Sequence, residues 1–569
     1  MWPSIPLLKQ AKNYNRSKLG SDLIASAVVT IMLIPQSLGY AMLAGLPPQY
    51  GLYASIMPIV VYSIFGSSST LSVGPVAIAS IMTASALSSV TQAGIVSYIE
   101  GAIILALLSG VFLMLLGILR FGFIANFLSH SVVAGFITAS GLLIALSQMK
   151  HLLGVQVSGH TFFTVAESLL SMLSKTHVAT AIIGVGSVIF LLLARKYSAK
   201  GLAYCGLSAY TANTLSKVAP VVGVVVTTVV VAVMGLDQKG VAIVGEIPRG
   251  IGQLGLPSLN LEAIKALILP AIFISIIGYV ESISVGRTLG AKRQEKIVAN
   301  QELIALGGAN VASGLMGAFP VTGGFSRSVV NFDAGAQTQF ASIYTAIAIA
   351  IASFFLTPFL YFLPIAMLAA TIIVAVLSLV DFSVVRHAWK FSKSDFYAIA
   401  MTIVLTLLLG VEAGVASGIV ASIILHLYHT SRPHVAEIGL LPNSEHFRNV
   451  NHYKVETIPQ ITSLRIDESL LFSNVNYLEE YIDAIVRSRP NTQHIILHCG
   501  AINSIDLSAL EMLEALNTRL LRSAIRLHLS ELKRPVKNLL DKINFFDRLG
   551  GTLFLSQYEA YKTLSKQYC

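Results

Sequence analysis

The sequence predicts an α-helical polytopic membrane protein that ends in a soluble α/β domain. Three observations carry the prediction: scarce charge, long charge-free runs, and a change of composition near Tyr428. Only 12% of the 569 residues are charged and 54% are hydrophobic, with a mean hydropathy of +0.74. A soluble chain carries about 25% charged residues. No Asp, Glu, Lys or Arg lies between Asp22 and Glu100, and residues 101–119, 176–194, 218–236 and 334–380 are equally free of charge. A spanning helix needs about 20 apolar residues, so windows of that length across residues 22–430 give roughly 12 to 14 spans.

The net charge of +10 does not point to nucleic acid, because many basic residues sit in short connections between spans: Arg195, Lys196 and Lys200; Lys292, Arg293 and Lys296; Arg386, Lys390 and Lys393. That is the positive-inside pattern, and Lys9, Lys12, Arg16 and Lys18 place the N-terminus on the same, cytoplasmic side. An even span count puts the C-terminal region there too. The opposite loops are poorer in Lys and Arg, with Lys150, Lys239 and Arg249 as exceptions. The cysteines, Cys205, Cys499 and Cys569, are scattered, which indicates neither a metal site nor a disulfide framework. The first apolar run is long, contains Pro35 and Gln36 and leads into further spans, so no cleavable signal is read there.

The expected organisation is a cytoplasmic segment (1–20), a membrane domain (21–430), a linker (431–455) and a soluble domain (456–569). In the last, residues 462–466, 494–498, 525–529 and 552–555 read as strands, separated by amphipathic helical stretches at 477–485, 508–521 and 536–540. Strands alternating with helices argue for a βαβ-type sheet.

Two short segments concentrate the chemistry: Leu71-Ser72-Val73-Gly74-Pro75-Val76-Ala77-Ile78 in one half and Phe319-Pro320-Val321-Thr322-Gly323-Gly324-Phe325-Ser326-Arg327-Ser328-Val329 in the other. Each is a Gly/Pro-broken start to an apolar run too short to cross a bilayer alone. Paired interrupted segments point to the central site of a transporter built from inverted repeats. With Pro75 and Pro320 at the starts of half-helices, the first N–H groups near Val76, Ala77, Phe325 and Ser326 are left free. Each such end carries about half a positive charge. Gly74, Gly323 and Gly324 let the backbone bend there. Two half-helices meeting head to head would make a pocket for an anion.

Arg327 adds a formal charge where no other occurs between Glu302 and Asp333. An arginine at the centre of a span costs at least about 2.5 kcal/mol, so it requires compensation. Glu281 follows ten apolar or weakly polar residues. It reads either as a proton carrier, because burial disfavours its charged form, or as the structural partner of Arg327. Gln36 lies in mid-run with Tyr40 one turn away on the same face. Its amide is suited to a bound oxyanion, but the residue alone favours the commoner role of an interhelical hydrogen bond. Asp333 lies further along the second half-helix, and Gly110 and Gly117 read as helix-packing glycines.

Pro48-Gln49-Tyr50-Gly51-Leu52-Tyr53-Ala54-Ser55, followed by Gly66-Ser67-Ser68, resembles the signature of the SulP family of sulfate and anion permeases, whose animal relatives include prestin. Ile34-Pro35-Gln36-Ser37, Val73-Gly74-Pro75, Glu281 with Gly286-Arg287, Asn300-Gln301-Glu302 and Phe325-Ser326-Arg327-Ser328 resemble that family in the same order. The resemblance implies the upper figure of the range, about 14 spans as two inverted repeats of seven, divided into core and gate domains. It implies that Gln36, Ser326 and Arg327 line the anion site and that Glu281 matches a carboxylate associated with proton coupling. It also implies a homodimer and alternating access by an elevator-like shift. The C-terminal region resembles a STAS domain through residues 464–474 and Ile505-Asp506-Leu507-Ser508-Ala509-Leu510. Leu507 stands where stand-alone bacterial relatives carry a phosphorylated serine, and Ser508 reads as a helix cap. Folding support, dimer contact or docking of a partner protein is therefore expected of this domain.

The leading expectation is secondary active transport of an inorganic or small organic anion, sulfate first, by proton symport through a plasma (inner) membrane. Bicarbonate or chloride exchange and sodium-coupled bicarbonate transport are alternatives. A sensor that signals through its STAS domain is an alternative of another class. Neither a P-loop nor zinc-ligand spacing occurs, so no enzyme, cofactor or metal is expected.

Overall fold

The computed structural model describes residues 5–568 except 93, 127–129, 160, 205, 207, 209–211, 213–215, 217, 253–254, 256–259 and 379. Contacts divide the chain into two units, Met1–Ser422 and Ile423–Cys569.

The first unit is helical. In order come α1 (Pro6–Lys12), α2 (Arg16–Leu43), α3 (Gln49–Tyr53), α4 (Met57–Phe65), a two-residue strand β1 (Val73–Gly74), α5 (Ala77–Gln92), α6 (Tyr98–Ile118), α7 (His130–Leu153), α8 (Phe162–Met172), α9 (Val178–Tyr204) and α10 (Ala219–Met234). The second half brings α11 (Leu261–Arg293), α12 (Ala299–Leu315), β2 (Thr322–Gly323), α13 (Phe325–Asp333), α14 (Phe340–Phe355), α15 (Ile365–Leu377), α16 (Ser383–Phe391), α17 (Lys393–Leu409) and α18 (Val411–Ser431), which runs on into the second unit. Among the described residues, five helices are long and apolar enough to cross a membrane unaided: α2, α6, α7, α9 and α11. Shorter apolar helices include α10, α14 and α15.

Side-chain caps fix several helix starts. Asn15 accepts the Lys18 N–H at 3.0 Å, Ser97 the Glu100 N–H at 3.3 Å, and Asn260 the Glu262 N–H at 2.9 Å, each satisfying a donor the helix cannot pair. α6 and α12 approach backbone to backbone. A Cβ at Gly110 would lie 2.8 Å from the Gly307 carbonyl oxygen, and one at Gly307 the same distance from that of Gly110. Where lipid tails are as apolar as leucine, such close packing drives helix association. Gly117 packs as expected too, against Ile304. Buried Asp22 holds another junction, accepting the backbone N–H groups of Gln337 (2.6 Å) and Thr338 (3.1 Å).

The second unit carries a six-stranded sheet. Its strands are β3 (Val435–Leu440), β4 (Phe447–Asn449), β5 (Ile461–Ile466), β6 (His494–His498), β7 (Arg526–Ser530) and β8 (Leu553–Phe554), in the order β4-β3-β5-β6-β7-β8. β5 to β8 are parallel, and β3 runs antiparallel to β4 and β5. Helices α19 (Val475–Ser488), α20 (Leu507–Arg522), α21 (Arg534–Asp541), α22 (Phe545–Arg548) and α23 (Gln557–Ser565) complete the unit. Residues 431–455, expected as a linker, instead contain β3 and β4, with Val435 opposite Ile466. The alternating burial of β3 is short and followed by polar sequence, which hid it. The cap of α20 is Asp506, which accepts the Ala509 N–H at 2.9 Å, rather than Ser508. Cys499 is buried, which pushes its thiol up to about 12 and leaves it inert. Cys205 and Cys569 lie outside the described residues.

A buried polar chain links the sheet to the end of the molecule. The Thr552 N–H donates to His528 Nδ1 at 3.0 Å, so the His528 proton sits on Nε2, 2.9 Å from His494 Nδ1. His494 Nε2 then faces the Tyr568 hydroxyl at 2.9 Å, and that hydroxyl donates to Gln493 Oε1 at 2.6 Å. Every member is satisfied only while both imidazoles are neutral. Burial, with His494 and Arg526 nearby, pushes His528 down to about 4, and burial with Arg526 nearby lowers His494. The folded values lie below the unfolded ones, so this stability is present above about pH 6.5 and is lost as pH falls toward 4. The protection of β6 and β7 amides in the full-length protein, measured as the exchange rate relative to that of the free peptide at the same pH, is expected to fall over that window, with His528 contributing up to about 1.4 kcal/mol per pH unit. The His528→Gln variant should show a shallower slope.

Candidate functional site

The two broken segments meet. β1 and β2 pair antiparallel, Val73 opposite Gly323 and Gly74 opposite Thr322. From this crossing α5 starts at Ala77 and α13 at Phe325. The prolines therefore precede the half-helices instead of opening them: Pro75 stands ahead of α5, and Pro320 ahead of β2. The reason is tertiary. In the first segment the paired residues, Val73 and Gly74, come just before Pro75, and in the second, Thr322 and Gly323 come just after Pro320; in both the chain pairs across the molecule before it winds up.

A dense hydrogen-bond frame pins the crossing. The Gly324 N–H donates to the Ser72 carbonyl at 3.1 Å, and the Ser72 N–H to Ser328 Oγ at 2.9 Å. The Asn331 amide donates to the Thr70 carbonyl at 3.1 Å. From α11, Ser282 Oγ accepts the Gly323 N–H at 2.8 Å, and Thr322 Oγ1 donates to the Gly278 carbonyl at 2.7 Å. From α12, Asn310 makes two bonds of 2.9 Å to the N–H and carbonyl of Val321. Ser313 donates to the Phe319 carbonyl at 2.6 Å. Non-helical backbone at membrane depth survives only where protein satisfies it, and this frame does so.

Arg327 sits one turn into α13 and is 2% exposed. Its guanidinium lies over two glycines: a Cβ at Gly74, where φ is +152°, would stand 2.7 Å from Nη1, and one at Gly324 3.1 Å from Nε. Among the described residues, neither Nη1 nor Nη2 has a hydrogen-bond partner. Glu281 is 6% exposed, its Oε2 is also unpartnered, and no ion pair joins it to Arg327 among the described residues. Both groups line one small cavity of about 30 Å³, with Gln36, Tyr40, Val76, Ala77, Ile78, Gly324, Phe325 and Ser326. That is room for roughly two waters, or one compact anion in their place.

Gln36, Phe325 and Ser326 also line an adjoining cavity of 420 Å³ that reaches Arg195 and the exposed Asp333 at the end of α13. The structure thus gathers around one cavity all the residues the sequence singled out for contact, and Glu281 with them. Pro75, Pro320 and Gly323 do not line it; they shape its backbone. Sequence reasoning passed over Ile78, and it missed Asn310 and Asn331 as braces. Asn310 offered one signal, an amide in the middle of an apolar span.

A helical membrane protein whose interrupted helices converge on a buried, unpartnered arginine belongs architecturally to the discontinuous-helix permeases. Residues 19–402 match the model of the sulfate permease family, and residues 452–560 that of the STAS domain. The chain belongs to the sulfate permease family. It is 34% identical to sulfate transporter 4.1, chloroplastic, of Arabidopsis thaliana over 96% of this chain and 80% of that one. It is 31% identical to a probable sulfate transporter of Mycobacterium tuberculosis over 96% and 95%. Its fold matches the structure of the murine solute carrier 26 family member A9 anion transporter in the inward-facing state. The TM-score is 0.89 at 24% identity, over 99% of this chain and 94% of that one. The transmembrane domain of the cyanobacterial bicarbonate transporter BicA matches with a TM-score of 0.61 at 19% identity, over 70% and 98%.

The Asn310→Leu variant should orphan the buried N–H and carbonyl of Val321, at about 1–3 kcal/mol each. Its melting temperature in detergent is expected to fall by several degrees; an unchanged value would show that the frame does not hold the crossing.

Proposed function

We propose that the chain is a secondary active transporter of a small oxyanion, sulfate first, driven by proton symport. The observation that carries this reading is the unpartnered Arg327 guanidinium, buried in a cavity that it shares with two helix N-termini and Glu281. The Ser80 N–H is the first of α5 to reach a helical partner, the Val76 carbonyl, and the Ser328 N–H reaches that of Gly324 in α13. The N–H groups ahead of them have no intrahelical partners, and Ala77, Ile78, Phe325, Ser326 and Arg327, which carry most of them, line the cavity.

Charge balance supports the choice of substrate. Arg327 contributes one positive charge and the two helix ends about half a charge each. A dianion neutralises that sum when Glu281 carries a proton. With Glu281 ionised, the remaining single charge suits a monoanion. The proton on Glu281 would therefore travel with a dianion, and its loss at the far side would favour release. The names of the plant and mycobacterial relatives point to the same substrate class.

The 420 Å³ cavity is the route from the site to one face, and we assign that face to the cytoplasm from the basic loops at Arg195, Lys196 and Lys200. On this reading both termini are cytoplasmic, the membrane is the plasma (inner) membrane, the protein is a homodimer, and core and gate domains shift past each other.

In proteoliposomes, an inward proton gradient is expected to stimulate uptake of labelled sulfate. The Arg327→Gln variant should lose at least about 30-fold in sulfate affinity, the cost of stranding one partner of a buried charged pair. The Glu281→Gln variant should retain sulfate counterflow while losing its response to pH. Uptake that ignores the proton gradient but follows a sodium gradient, with bicarbonate as the better substrate, would replace this reading with the sodium-coupled one.

A further inference from the structure

The basic residues Arg386, Lys390 and Lys393 form more than a charged loop. Arg386 and Lys390 sit on α16, a helix about 13 Å long, far too short to cross a bilayer. α16 packs on α7 and α17, and its buried Ala388 marks the face that meets them. At 100° per residue, Val384, Val385 and Ala388 share that side. Arg386 and Lys390 occupy the opposite side, with His387 on a flank and Lys393 just beyond the helix. The flanks between these faces carry aromatic rings. Phe391 is 93% exposed on one flank, and Phe382 (55%) and Trp389 (48%) are exposed on the other.

These rings have no place in water, and the ends of α16 tie them to membrane depth: the apolar α15 ends just before α16, and α17 begins right after it. Trp389 is braced edge-on against Phe396, with ring centroids 4.6 Å apart, and the Lys393 ammonium lies over its indole. The local acids have other duties. Asp381 accepts the Ser383 N–H at 2.7 Å, and Asp395 belongs to the first turn of α17, where Ser392 accepts its N–H at 3.3 Å. None of Arg386, Lys390 and Lys393 forms an ion pair among the described residues.

We propose that α16 and the start of α17 form a binding site for anionic phospholipid, with Phe382, Trp389 and Phe391 set among the acyl-chain ends and Arg386, Lys390 and Lys393 on the headgroup phosphates. An interfacial helix with aromatic and basic faces binds in this way, and each basic side chain close to an anionic surface adds about fivefold to the affinity. Orientation during insertion requires only the three charges. The exposed rings on both flanks are what a headgroup site adds.

The chain has two tryptophans, Trp2 and Trp389, so a Trp2→Phe variant makes the indole of Trp389 the sole reporter. In proteoliposomes containing equal fractions of brominated phosphatidylcholine or brominated phosphatidylglycerol, both lipids should quench it, and the anionic one more strongly. That excess should shrink at high salt and disappear in the Arg386→Gln/Lys390→Gln/Lys393→Gln variant, while quenching by phosphatidylcholine persists there as a control for folding and depth. Equal quenching by the two lipids would overturn the proposal. So would the absence of quenching by either, which would mean that protein, a second copy or a partner, covers this face.

Discussion

The antiparallel contact of β1 with β2 is the constraint on which the rest of the membrane unit depends. It is only two residues wide on each side, yet it decides where both half-helices begin. It brings Gly74 under the guanidinium of Arg327, where any side chain would collide. Polar backbone in the middle of an apolar protein has to be paired, and α11 and α12 supply the partners through Ser282, Gly278, Asn310 and Ser313. The close backbone packing of α6 on α12 in turn holds that frame still.

The frame and the cavity divide the polar groups between them. Those of the frame are fully engaged, which makes them rigid. Among the described residues, the two amino ends of the Arg327 guanidinium and Glu281 Oε2 are left without partners. Unpaired buried groups are costly, and these three line a single cavity.

Much of the site was legible in the sequence because its signals are local. Glycine and proline break a helix wherever they fall, and Arg327 and Glu281 are single charges in long neutral runs. The four parallel strands of the second unit, β5 to β8, were legible as short apolar runs between amphipathic helical stretches. What escaped was set by contacts distant in sequence. No local rule tells how far past Pro320 a helix resumes, because Thr322 and Gly323 are held by the other half of the chain. Ser282 looks like any small polar residue on a helix until Gly323 is placed against it, and the amide of Asn310 signals a hydrogen bond without naming Val321 as its partner. β3 and β4 were missed for the same reason: β5 supplies the ladder that makes β3 a strand. The basic cluster on α16 was read as loop charge because its aromatic flanks become visible only once the helix is wound.

The frame also constrains how the protein is made. The Ser72 N–H finds its acceptor, Ser328, 256 residues later in the chain. At about 5–20 residues per second the ribosome needs about 10–50 s to deliver it. Through that interval the Ser72 N–H and the Val73–Gly74 backbone lack the partners that α13 and β2 supply, and water must solvate them. The first half therefore cannot settle fully into lipid on its own, and insertion finishes only when the second half arrives to close over it.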